Sequence, residues 1–212
     1  MTLHEPDVTL TDFALAAECS LFVLLLAGYD ADSRSLNIWF GIFFAATGCA
    51  ALLGAVTHGF VTNQKSAHYR ILWLGIFAAI GIAAFACWVI GSRLLLGDDA
   101  AQLVTIAASL ALVVYMVVVV KFSQSFAVAI IYYLPAAIFL LIAFALAYIQ
   151  HGKNHDAYGV AGVLLTFVAA FVQMAKIKLH PKYLDHNAFY HVVQAVALFL
   201  IFLAAQGSLS LA

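Results

Sequence analysis

Few side chains in this sequence can do chemistry in an apolar setting, and they stand in patterned places. Glu18 falls inside an apolar run, His58 near the end of a second, and Gln173 near the end of another. Asn187, His191 and Gln194 open the last run at spacings i, i+4, i+7, which put them on one stripe of a helix. Imidazole is the commonest metal ligand and titrates near neutral pH, so His58 and His191 suit metal binding or acid–base work. Two histidines on facing helices, with a carboxylate or water, would form a zinc site with an open position. Zinc would bring the pKa of its bound water toward ~7 and create a nucleophile. The plainer alternative is a hydrogen-bonded network that pins helices, with His58 bonded to Glu18 or Asn187. His186 lies about 140° around a regular helix from His191, so both reach one centre only if the helix begins after His186.

The elements that must position these groups are apolar helices. Hydrophobic residues make up 66% of the 212 and charged residues 9%, against roughly 45–50% and about 25% in soluble domains. Lipid must therefore solvate most of the chain. The expected fold is all-α: a polytopic membrane protein whose bundle of seven transmembrane helices forms a single domain over residues 1–212. The runs and their polar breaks predict spans at 12–29, 36–61, 69–95, 101–120, 126–149, 158–177 and 187–209. The first is expected to end at Asp30-Ala-Asp32, and Pro135 predicts a kink in the fifth. Short loops predict that consecutive helices are antiparallel neighbours. Continuous rather than alternating apolar runs speak against strands.

Depth gives the strongest pattern. At ~1.5 Å per residue, Glu18 lies ~9 Å into its span, His58 and Gln173 ~6 Å, and His191 ~6–8 Å. Odd spans leave the N-terminal side and even spans return to it, so all four occupy one leaflet. The opposite half of the bundle shows no comparable set. His68, His180 and His186 lie near the same boundary, whereas His151 and His155 sit at the other and read as surface residues. Trp39, Trp73, Tyr69, Tyr148, Tyr158 and Tyr183 read as interfacial anchors. Tyr132 and Tyr133 lie deeper, where they pack or line a cavity.

Several function classes are excluded. Net charge is −1 and no basic stripe exists, which argues against a nucleic-acid partner. Cys19, Cys49 and Cys87 lie in apolar runs without a CxxC and read as small buried hydrophobes. No phosphate-binding loop occurs, and the last span lacks the lysine of a retinal Schiff base. No cleavable signal is expected, because the first span lacks a basic leader. Lys65, Arg70, Lys121, Lys176, Lys178 and Lys182 flank the N-terminal side, against Arg34, Arg93 and Lys153 opposite. That bias predicts a cytoplasmic N-terminus and an outside C-terminus, in a setting that suits a bacterial inner membrane.

Two segments carry a family resemblance. The second span ends Gly54-Ala-Val-Thr57-His58-Gly59-Phe60, and the seventh begins Asn187-Ala-Phe-Tyr190-His191-Val-Val-Gln194. This resembles the superfamily of alkaline ceramidases and adiponectin-type receptors, seven-helix membrane hydrolases. Ala17-Glu18-Cys19 is similar to an Ala-Glu-aromatic stretch of the ceramidases. The resemblance implies that His58 and His191 hold zinc. It puts Asn187 where the family has a third ligand, and Gly54 where it has a serine. The acidic residue expected early in the third span is missing, and His68-Tyr69-Arg70-Ile-Leu-Trp73 stands there. Glu18, His186 or His68 would have to complete the ligand set.

The resemblance implies a zinc-dependent hydrolase of lipid amides or esters. Glu18 would be third ligand or general base, and Asn187 and Gln194 would orient water or the substrate carbonyl. The alternative is a non-enzymatic membrane protein that binds a lipid or small molecule. A haem held by His58 and His191, or a transporter, are weaker readings. In each, the partner at hand is membrane lipid.

Overall fold

A computed structural model describes residues 3–28, 34–180 and 183–209. The Asp30-Ala-Asp32 break and Lys182 lie outside them. The described residues form seven helices: α1 (Pro6–Leu26), α2 (Arg34–Phe60), α3 (Ala67–Leu95), α4 (Asp98–Lys121), α5 (Phe126–His151), α6 (Asn154–Met174) and α7 (His186–Leu209). Each is long and apolar enough to cross a membrane. No strand occurs among the described residues, where a single isolated bridge joins His180 and Leu184. The chain is an integral membrane protein with a seven-helix bundle.

Local chemistry sets the helix ends. Pro6 occupies the first turn of α1, where its missing N–H is no loss. The Ser66 hydroxyl caps α3 by accepting the Tyr69 N–H at 3.1 Å. Asp185 Oδ1 caps α7 by accepting the Asn187 and Ala188 N–H groups at 2.8 and 2.9 Å. Gly152 closes α5 at φ +64°, a left-handed conformation that glycine adopts without steric cost.

The order of packing differs from the order of the chain. Contacts close a ring, α1–α2–α3–α5–α6–α7 and back to α1, while α4 lies outside it against α3. The expectation that consecutive helices are neighbours holds only weakly between α4 and α5, which meet mainly where Tyr115 stacks on Tyr132 with ring centroids 4.3 Å apart. The cause lies on α3. Gly91 lets Phe139 and the Leu140 backbone of α5 come close, and Gly81 receives the Tyr115 ring of α4. One helix thus serves two seams, and 61% of the α3 span is buried against 17% of α4. Lipid tails are as apolar as leucine, so close packing rather than water exclusion holds such seams. On the opposite wall, Phe22 of α1 stacks on Phe202 of α7 with centroids 4.3 Å apart, and Phe44 of α2 meets Phe22 edge-on at 5.2 Å.

Two boundaries move in ways that matter. α1 starts at Pro6, six residues before the expected Asp12, so Asp12 lies inside the helix. α6 begins at Asn154 rather than 158 and ends at Met174 rather than 177. The shift brings Asp156 into its first turn.

A polar network at one end of the bundle

Of the polar groups expected at one level, His58 and His191 lie within electrostatic reach of each other, each with a carboxylate partner that the sequence did not point to. His191 of α7 faces α1. Its Nδ1 lies 3.0 Å from Thr11 Oγ1, and its Nε2 lies 3.2 Å from Asp12 Oδ1. Only 11% of the His191 side chain and 5% of the Asp12 side chain is exposed.

The Thr11 hydroxyl lies between its own helix and the ring. It donates to its own helix, with Asp7 O at 2.9 Å and Val8 O at 3.0 Å, as mid-helix threonines do. It also meets His191 Nδ1, donating or accepting according to the tautomer of the ring. Nε2 and Asp12 Oδ1 would repel as two bare lone pairs at their separation. One proton must lie between them, on the carboxyl or on the ring.

Asp12 is seated by α2. A side chain at Gly54 would come within 2.9 Å of Asp12 Oδ2, so the carboxylate occupies the space of the absent side chain. One turn on, His58 Nδ1 contacts Glu5 Oε2 at 2.5 Å. This second imidazole–carboxylate pair is more open, with side-chain exposures of 30% and 42%. His58 and Asp185 both lie within electrostatic reach of His191, and Tyr190 within reach of Asp12. The α1 end is tied down further by Asp7 Oδ2, which accepts the Asp185 N–H at 3.2 Å.

The remaining expected site residues are placed elsewhere. The α7 stripe splits between two neighbours. Asn187 Oδ1 accepts from Gln173 Nε2 at 3.2 Å, and Gln194 Nε2 reaches Thr166 Oγ1 at 3.3 Å, both on α6. Gln194 Oε1 is buried without a partner. Glu18 joins none of these contacts, and its Oε2 is buried and unpartnered. From Asp12 it is ~9 Å further along α1 and about 120° around it. His186 lies 3.6 Å from Asp185, with its Nδ1 otherwise unpartnered. His68 is exposed at the start of α3.

As arranged, these donors do not make a zinc-ligand set. His58 Nδ1 is held by Glu5, both His191 nitrogens are engaged, and Asn187 turns to α6. Among the described residues no three His, Cys, Asp or Glu side chains group as metal ligands.

The opposite end of the bundle, expected to show no comparable set, holds a buried pair of its own. Asp156 is buried at 3% exposure, and His155, read as a surface residue, keeps 16% of its side chain exposed. Their contact is 3.6 Å.

A first span that begins at Asp12 leaves Asp12, Thr11 and Glu5 outside the expected site. The available signal was Pro6 followed by threonines, a sequence able to start a helix one to two turns earlier. A search of curated proteins finds no match. Residues 8–210 match the model of a family of unknown function, DUF6962, and the chain belongs to that family.

Proposed function

We propose that this polar end is an intramembrane acid–base site acting on the carbonyl of a lipid ester or amide. The single proton held between Asp12 and His191 supports the reading most. General acid–base catalysis needs a group that gives and takes a proton within reach of the reacting atoms. Thr11 holds the ring by Nδ1, which leaves Nε2 and the Asp12 carboxyl to share a proton. The Glu5–His58 pair lies nearby and is the more exposed of the two. A lipid substrate follows from the surroundings, since no extramembrane domain exists in the described residues to bring a soluble one.

The resemblance to ceramidase-like hydrolases agrees with the reaction class and implies zinc. The seating of Asp12 at Gly54 bears on one departure, because the Cβ of a serine there would come within 2.9 Å of the carboxylate and make it shift. Since the donors are engaged elsewhere, the chemistry is assigned to Asp12 and His191 without a metal. The Lys and Arg bias further supports a cytoplasmic N-terminus, which puts the site near the inner leaflet of a bacterial inner membrane.

The test is metal content and turnover of the purified protein beside His58→Ala, His191→Ala and Asp12→Asn. The expected result is less than stoichiometric zinc, with lipid ester or amide cleavage lost in Asp12→Asn and His191→Ala. About one zinc per chain, lost in both histidine variants, would overturn the metal-free assignment. A second reading is lipid binding without turnover, favoured by Asn187 and Gly54 at the family's ligand and serine positions. Saturable lipid binding with no cleavage by wild type would select it.

A further inference from the structure

Glu18 takes part in neither imidazole–carboxylate pair. Because α1 starts at Pro6, Glu18 lies near the middle of a 21-residue helix, ~12 Å from its nearer end. An ionisable side chain at such a depth marks function by default. α1 carries two other carboxyls, and both are satisfied: Asp7 accepts the Asp185 N–H and Asp12 meets His191. Glu18 makes no hydrogen bond or ion pair among the described residues, and its Oε2 is buried without a partner.

The surroundings of Glu18 open toward lipid. Its side chain is half-buried, its neighbours Ala14 and Ala17 are exposed, and Leu21 is 52% exposed. A helical side chain leans over the turn before its own Cα, so the carboxyl lies over Ala14, whose single methyl leaves a notch. Phe22, one turn on and about 40° around the helix, packs against Phe199 and Phe202 of α7, with centroids 6.4 and 4.3 Å away. The notch therefore sits at the edge of the α1–α7 seam, beside Phe199, which is itself 46% exposed.

This placement limits the ligand. A carboxyl in hydrocarbon either keeps its proton or meets a cation, because a bare charge there is too costly to persist. No Lys, Arg or His of the described residues supplies that cation. It must come from another molecule, and the open side of the notch faces the bilayer. A neutral hydroxyl would fit the same space but gains less, since charge-assisted hydrogen bonds are roughly twice as strong as neutral ones.

We propose that Glu18 binds a membrane-soluble amine, with the nitrogen on the carboxyl and the alkyl part along Leu21 and Phe199. The amine arrives uncharged through the bilayer. Its lone pair takes the carboxyl proton, so one O–H bond breaks, one N–H bond forms, and an ammonium–carboxylate pair remains. The site is separate from the Asp12–His191 pair and does not depend on turnover there.

The full chain, purified in neutral detergent, is titrated with dodecylamine and with dodecanol, and native mass spectrometry reads occupancy. Dodecylamine is expected to bind saturably, one per chain, and dodecanol far more weakly. Glu18→Gln should weaken amine binding at least about 10-fold, the effect of losing a charge-assisted hydrogen bond. Asp12→Asn should bind the amine as wild type does. Dicyclohexylcarbodiimide, a lipid-soluble carboxyl reagent, should label Glu18 in peptide mass analysis, and dodecylamine should slow that labelling. Dodecanol binding as tightly as the amine, unchanged affinity in Glu18→Gln, loss in Asp12→Asn, no amine binding, or no label on Glu18 would each overturn the proposal. Melting temperatures of both variants check that the fold is kept.

Discussion

Removing Asp12 and His191 singly and together measures whether they form one unit. Asp12→Ala leaves His191 Nε2 facing a gap, in a place where only 11% of the ring is exposed. His191→Leu leaves the Asp12 carboxyl, 5% exposed, in the same position. A buried polar group stripped of its partner costs about 1–3 kcal/mol. The double variant strands neither group, so it should cost less than the two singles combined, by about 1–3 kcal/mol. The small cavity left by each truncation enters both arms of the cycle and cancels to first order. Unfolding in mixed micelles with increasing dodecyl sulfate supplies the four free energies. Additivity within ~0.5 kcal/mol would refute the coupling, and with it the proton assigned between these residues. Asp12→Asn sharpens the test. Its amide can donate to Nε2, so stability should stay within about 1 kcal/mol of wild type while turnover is lost.

Other substitutions probe the surrounding contacts. Gly54→Ala puts a carbon 2.9 Å from Asp12 Oδ2, and thermal unfolding should show a loss of about 1–3 kcal/mol from overpacking. Thr11→Val removes the partner of His191 Nδ1, so nitrogen NMR of the labelled ring should show a changed tautomer balance. Glu18→Gln should keep full turnover, because Glu18 touches neither pair; loss of turnover would return it to the site. Asn187→His restores a His-x-x-x-His spacing with His191 and should raise zinc content above wild type, which metal analysis reads directly. Tyr115→Phe, which loses a 3.0 Å bond to Phe77 O, should lower stability by about 0.5–1.5 kcal/mol without touching activity.

How much of this was legible in the sequence varies with the kind of signal. Helix number and approximate placement follow from average hydropathy, a sum over many residues that tolerates local error. The common level of His58, Gln173 and His191 also follows, because rise per residue is nearly constant along a helix. Partners are harder. Asp12 looked like the polar edge of a span, since hydropathy alone cannot tell a charge at the boundary from one a turn or more inside it. What distinguishes them is the backbone of Pro6–Thr11, where Thr9 and Thr11 return their hydroxyls to the helix and so let it continue. The α7 stripe was correctly drawn, yet about 40° between Asn187 and His191 suffices to aim one at α6 and the other at α1. Glu18 shares a leaflet with His191 but not a direction. Nothing along the chain announces that α5 packs on α3, because that depends on two glycines matched to side chains far away in sequence.

The position of α4 then acquires a topological meaning. α3 and α5 run the same way and pack side by side, as two parallel strands do in a sheet. Parallel neighbours cannot be joined by a tight turn, and soluble proteins solve this with a crossover that returns the chain to its starting edge. In a membrane the return leg must itself span the bilayer and satisfy its own backbone, so it must be a helix. α4 is that crossover. Its residues answer mainly to lipid, apart from the seam where Tyr115 bonds Phe77 O of α3 and stacks on Tyr132 of α5. Leu, Val and Ile should therefore exchange freely along its outer face, at Leu103, Ile106, Leu110, Val113, Val114 and Val117, without disturbing the ring.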